Sequence, residues 1–323
     1  MDAPFHPGAV SLQRLAGVDR RLDTVGRTVI RDHMPDQHRE LFGKLPTLFL
    51  GAVDPAGQPW ATVITGPPGF MHTPDARTLS VNALPAMDDP VAPLLQPGAS
   101  VGLLGLEPHT RRRNRMNGRV DHADAGRLVV QVQQSFGNCP KYIQARKPTP
   151  LDRPPGPSQA LGPAGWPEAA RDLVTRSDML VIASASGPRP GPSPAEGVDV
   201  SHRGGLPGFV GLHEDNGRTV LTLPDYPGNL FFNTLGNLVV WPRAGLLFID
   251  PDSGDMLQLA VQTRLVQSAD ALASYPGAQR LVTAQVVGGW WRPGALPLRW
   301  SAAELSPHLA NMAPGDSGKP ARS

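Results

Sequence analysis

The chain is predicted to be mainly β, with minor α, and to fold as two tandem β-barrels of one type. Three observations carry this: an internal repeat of domain length, a series of short apolar runs separated by turn clusters, and a scarcity of helical patterning. The repeat reads Thr65-Gly66-Pro67-Pro68-Gly69-Phe70-Met71 and again Arg203-Gly204-Gly205-Leu206-Pro207-Gly208-Phe209-Val210. Arg77-Thr78-Leu79 then answers Arg218-Thr219-Val220, and Val101-Gly102-Leu103-Leu104 answers Ala244-Gly245-Leu246-Leu247. The separations are 139, 141 and 143 residues (Gly69 to Gly208, Arg77 to Arg218, Gly102 to Gly245), so whole domains repeat rather than solenoid units. At 323 residues the chain is also longer than one hydrophobic core usually organises.

Residues 1–45 are expected to form two short helices packing on the first barrel, from the mixed i+3 and i+4 spacing of Ser11–Leu22 and from a second segment, Pro35–Phe42. The first barrel is assigned to 46–150. Thr47–Val53 and Trp60–Thr65 flank the turn Asp54-Pro55-Ala56-Gly57 and read as a hairpin. Thr78–Val81, Ser100–Leu106, Arg115–Val120 and Leu128–Val132 are further strand candidates, and Arg111–Arg115 reads as an exposed loop and strand start. Pro, Gly and Ser crowd 151–166, which is expected to be a linker. The second barrel, 167–301, has strand candidates at Met179–Ala183, Val198–Ser201, Gly208–Leu212, Thr219–Leu223, Gly245–Ile249 and Met256–Val261. Asn229–Val240 is its one expected helix, Ala284–Val287 and Leu296–Trp300 form a late pair, and 302–323 is expected to be a disordered tail.

A net charge of +2 creates no field that would concentrate nucleic acid. A single cysteine, Cys139, excludes an internal disulfide, and no apolar run reaches the roughly 18 residues that a bilayer requires. Cytoplasmic location, no membrane partner and no metal are expected, and a homodimer is left open. His33 and His38 are five apart, which fits no helical zinc pair. Gly66–Gly69 lacks the strand-then-GxGxxG-then-helix setting of a dinucleotide fold.

The block Thr219–Leu238, including Pro224-Asp225-Tyr226-Pro227-Gly228-Asn229, and the following Trp241-Pro242-Arg243-Ala244-Gly245-Leu246-Leu247-Phe248 resemble the pyridoxamine 5'-phosphate oxidase-like family of FMN-binding split-barrel flavoproteins. Phe136–Gln144 is similar to a second signature of the same superfamily, and the resemblance runs from about Pro46 to Trp300. It implies FMN held between the barrels. By position, Ser201, Arg203, Gly204 and Gly205 would clasp the phosphate, together with the element from Asp225 through Asn229, Asn233 and Asn237. Gln258 would reach the flavin ring, and Lys141 would face the pocket from the first barrel. The pyridoxal-forming enzymes carry a Ser-Arg-Lys grip where this chain has the three asparagines. The phosphate would therefore rest on amides and backbone N–H groups with Arg203 as the main cation, and vitamin B6 oxidation itself is not implied.

Elementary chemistry agrees, because helix N-termini and arginine forks both bind phosphate and glycine lets a backbone approach a flat ring. Cys139 before Pro140 would place a thiol near a helix start, although burial as a small hydrophobe is the stronger reading. The expected activity is FMN-dependent oxidoreduction of a small organic substrate. The alternatives are a non-catalytic flavin- or haem-binding protein and a deazaflavin-dependent reductase.

Overall fold

The computed structural model describes residues 3–189, 191 and 193–310. Strands β1 (Thr47–Val53), β2 (Pro59–Thr65), β3 (Met71–His72), β4 (Thr78–Val81), β5 (Ser100–Glu107), β6 (Arg112–Asp124) and β7 (Arg127–Gly137) form one antiparallel sheet in the order β2-β1-β5-β6-β7-β4-β3. Two short strands follow, β8 (Pro148–Pro150) and β9 (Gln159–Leu161). Strands β10 (Met179–Ala185), β11 (Val198–Gly204), β12 (Gly211–Asp215), β13 (Arg218–Asp225), β14 (Arg243–Ile249), β15 (Met256–Val266) and β16 (Arg280–Arg292) then pair as β11-β10-β14-β15-β16-β13-β12. Adding nine to each strand number of the first order gives the second, so the repeat in the sequence is a repeat in topology. Even the irregularity recurs: a register shift falls between Asn117 and Gly118 in β6 and between Ala260 and Val261 in β15, and each bends its strand at the same place.

Alternation along each strand decides what fills the barrels and what joins them. Leu48 and Leu50 of β1 point into the first barrel, where they meet Ile64, Met71, Leu79, Leu103, Met116 and Val130 from the other six strands. The residues between and beside them, Phe49, Ala61, Val63 and Leu104, turn outward and pack on Val181, Ala183, Val200 and Leu247 of the second barrel. Two hydrophobic faces on β1, β2 and β5, and on β10 and β14 of the second repeat, thus yield two cores and an apolar seam. Glycine permits the contact: a Cβ on Gly102 would lie 2.6 Å from the Val198 carbonyl oxygen, and one on Gly245 would lie 2.6 Å from both the Pro59 oxygen and Trp60 Cα. The repeated Gly-x-Pro-Gly-Phe turns are built alike, with Gly69 and Gly208 at φ of 92° and 82°.

The helices depart from expectation in number and place. Three precede the first sheet, α1 (Pro7–Leu15), α2 (Asp19–Val29) and α3 (Asp36–Lys44). Only α3, through Leu41 and Phe42, joins the first core. α1 instead crosses α5 (Asn233–Val240) of the second repeat, where Gly8 and Gly236 allow backbone-to-backbone approach. α3 has its own counterpart in α4 (Glu168–Arg176), each capped by a proline and each leading into the first strand of its repeat. With α6 (Ala269–Ala273), the second repeat has three helices where one was expected.

Further corrections concern the segments thought irregular. The 151–166 stretch is not a bare linker, because β9 pairs with β16 and Trp166 is buried. The late pair does not pair with itself: β16 lies between β13 and β15, and β17 (Leu298–Trp300) pairs with β8. The start of the expected tail is ordered, with Glu304 bridged to Ala145 and Leu309 buried in the short helix α7 (Pro307–Ala310). The remainder of that tail, 311–323, lies outside the described residues. Among the described residues no helix is long and apolar enough to cross a membrane.

Candidate functional site

Where β11 and the segment leading into α5 face β6 and the loop after β7, the two repeats leave a cleft of about 830 Å³, its open mouth included. Its floor is β11, whose pleat sets Ser201 and Arg203 on one face and His202 on the other. The first repeat contributes Arg113 and Arg115, also two apart on one face of β6, and the loop residues Asn138, Cys139, Lys141 and Tyr142. The second adds Asp225, Tyr226, Asn229, Leu230, Phe232 and Asn233.

Positive charge dominates. Arg115 is buried and pairs with Asp199 at 2.9 Å; its second terminal nitrogen donates to Ser201 Oγ and its guanidinium lies 5.4 Å from the Phe136 ring centre. Burial lowers its pKa, with Asp199 acting in opposition and Arg203 adding to the drop. Arg203 donates to Asp225 at 2.7 Å, and the other oxygen of Asp225 lies 3.4 Å from Arg280, which in turn stacks over Phe232. Arg113 has no carboxylate partner among the described residues. It donates only to the backbone oxygens of Cys139, at 2.8 Å, and His202, at 3.0 Å. Burial, then Arg115 and Arg203, lower its pKa to about 9. Burial, then Arg113 and Arg203, hold the His202 imidazole neutral, well below the usual histidine range.

Two further donors have no hydrogen-bond partner among the described residues: Asn138 Nδ2 and Arg115 Nε, both buried and both on residues lining the cleft. A site with surplus donors and a cation without a counter-ion is built for an anion, since a buried charge left alone is costly. Backbone strain is concentrated here as well. Tyr142, Leu230 and Phe232 line the cleft at φ of 64°, 64° and 57°, a region that side chains other than glycine rarely enter.

Most of the residues expected from sequence meet at this place: Ser201, Arg203, Gly204, Asp225, Asn229, Asn233 and Lys141 all line the cleft. Gly204 is needed because a Cβ there would collide with the Tyr142 carbonyl oxygen. Three do not. Gly205 lies beyond the edge, its carbonyl accepting from Gln144 at 2.9 Å. Asn237 is buried behind the cleft, donating to Ser184 at 3.0 Å and Asp199 at 3.3 Å, so it holds the carboxylate that holds Arg115. Gln258 is fully buried at the opposite seam, donating to the Ala61 oxygen at 2.9 Å and to Asp89 at 3.2 Å. A residue engaged there cannot reach a ring in this cleft.

Other expectations change for local reasons. Asn229 precedes the helix, which starts at Asn233, so the three asparagines do not share one helical face; the Asn229 side chain accepts from Phe231 N at 3.2 Å in a turn. Cys139 lies in a loop, with no helix start beside it. The arginines of 111–115 are not an exposed loop: Arg115 is 3% exposed. Their i, i+2 spacing in a strand was the signal that could have placed Arg113 and Arg115 together. His202, between two expected residues, was missed because alternation alone puts it on the other face.

No protein-family model matches the chain, and no curated protein does. Three solved structures align with it at low similarity. A variant of HupZ from Group A Streptococcus is 6% identical over 36% of this chain and 90% of its own, with a TM-score of 0.26. An FAD-binding protein of Mesorhizobium loti is 12% identical over 42% and 97%, with a TM-score of 0.25. The Bacillus subtilis inhibitor of motility MotI/DgrA is 9% identical over 76% and 88%, with a TM-score of 0.22.

Proposed function

We propose that the cleft binds FMN and that the protein is an FMN-dependent oxidoreductase acting on a small organic substrate. The observation that carries the reading is Arg113, a guanidinium with only backbone carbonyls for partners beside two more guanidiniums, in a cleft with free donors. A phosphate supplies the missing charge, and arginine forks bind it in a directed way. Arg113, Arg115, Ser201, Asn138 and Lys141 would hold the phosphate, while Tyr142, Tyr226 and Phe232 offer apolar and aromatic surface to a planar ring. Arg203 shares the single carboxylate of Asp225 with Arg280, so this wall adds positive charge of its own while the ion pair orients it.

A bound flavin would supply hydride or electron transfer, the chemistry that no side chain here supplies. The protein's own part is to grip, orient and keep water from the ring.

The absorption spectrum of the purified protein, with mass analysis of any released ligand, tests this directly. Flavin bands, bleached on adding a nicotinamide donor under anaerobic conditions, are expected. Their absence after incubation with FMN refutes the reading. A Soret band in place of flavin bands would identify a haem-binding protein instead.

A further inference from the structure

The duplication gives the molecule two seams of the same kind, and strand register matches their residues one to one. Arg115 faces Leu104 and Phe136 across its neighbouring strands, as Gln258 faces Leu247 and Trp290, so Arg115 and Gln258 are equivalent. Two residues beyond Phe136 and Trp290 come Asn138 and Arg292. Ser201 faces Ile182 in β10, and Thr62 faces Leu50 in β1, which makes Ser201 and Thr62 equivalent in turn. Ser201, Arg115 and Asn138 line the open cleft.

Their counterparts do something different. Thr62 Oγ1 donates at 2.6 Å, Arg292 at 2.7 Å and Gln258 at 3.2 Å, all to the same oxygen of Asp89. The other Asp89 oxygen accepts from Val91 N at 2.9 Å, and Arg292 also reaches Asp88 at 2.5 Å. Asp89, Thr62, Gln258 and Arg292 are each at most 5% exposed. Three donors from matched positions converge on one carboxylate oxygen, which is how an anion site looks when it is full.

We propose that Asp89 is a built-in anion filling the second of two matched ligand positions. The chain then holds one phosphorylated ligand, whose anionic group sits at Ser201, Arg115 and Asn138 where Asp89 sits at Thr62, Gln258 and Arg292. This rests on reading the open cleft as an anion site. It explains why the repeats could diverge: the carboxylate neutralises the buried Arg292 of one seam, while the other keeps unpartnered donors.

Two measurements on the full chain test it. Equilibrium titration of the wild-type protein with FMN is expected to saturate at one per chain, and two per chain would overturn the proposal. In Asp89→Ala, inorganic phosphate should raise the melting midpoint by several degrees more than in wild type, because the vacated site binds it in the folded state alone. An equal phosphate response in the two proteins would overturn it. If wild type binds no FMN, the cofactor reading fails while the phosphate comparison still decides this one; if Asp89→Ala does not fold, the wild-type stoichiometry decides.

Discussion

Arg113 is the residue on which the chemistry turns. Its charge is held beside Arg115 and Arg203 with no carboxylate of its own, so the ligand-free cleft is under repulsion that an anion relieves. Arg113→Met, similar in length and uncharged, is expected to lower FMN affinity by about 10- to 100-fold, the worth of one charge-assisted hydrogen bond or a little more. Flavin fluorescence quenching measures it, with the melting midpoint as control for folding. Affinity equal to wild type would remove Arg113 from the site. His38 makes a separate claim about stability. It is buried against Ser135 at 2.8 Å, and burial, then Arg31 and Arg112, lower its pKa from 6.5 to about 4. The unfolded chain therefore takes up a proton below pH 6.5 that the folded one refuses until about pH 4. Stability is lost as pH falls through that window, by up to about 1.4 kcal/mol per pH unit and about 3 kcal/mol in all. His38→Gln should flatten this limb in denaturation curves taken from pH 7 to 4.5, and an unchanged slope would show that other groups cause it.

Elements place these residues by close approach of backbones. β11 ends at Gly204, and the absence of a side chain there lets the Tyr142 carbonyl come in, which fixes the 138–144 loop as the far wall of the cleft. Gly204→Ala should push that loop away, lowering FMN affinity and costing about 1–3 kcal/mol in chemical denaturation, as overpacking usually does. Unchanged affinity would show that the wall is set by something else. The same elements show what the sequence could and could not disclose. Most strands of both barrels were legible because alternation and Gly-Pro turns are local signals, although β3 was too short to show and β11 runs three residues past the expected Val198–Ser201; Arg203 and Gly204 of the cleft floor came from the family resemblance. Arg113 and Arg115 were missed because a basic run reads as solvated unless its partner, here Asp199 from the other repeat, is known. Gln258 was misplaced for a related reason: its strand was right, but which seam it faces depends on how two barrels pack. α4 escaped notice because its nine residues follow a proline-rich stretch that masks a short helix.

At the scale of the molecule, duplication within one chain frees the two seams from the symmetry that identical subunits would impose. One seam keeps unpartnered donors and strained backbone; the other is closed by Thr62, Gln258 and Arg292 around Asp89. The apolar packing of Phe49, Leu104, Val181 and Leu247 between them holds both in register. Gly245→Val would test that rigidity, since side-chain atoms there must displace the backbone of β2. A drop in both melting midpoint and FMN affinity is expected, whereas affinity lost without any change in stability would mean that the seam does not support the cleft.

The central claim is that this cleft recognises a planar ligand by its anionic end. Parallel titrations with FMN and with riboflavin, which differ by the phosphate alone, test it most directly. FMN should bind at least about 100-fold more tightly, the equivalent of two charge-assisted hydrogen bonds, and the difference should shrink as salt is raised. Equal affinities for the two flavins would contradict the account.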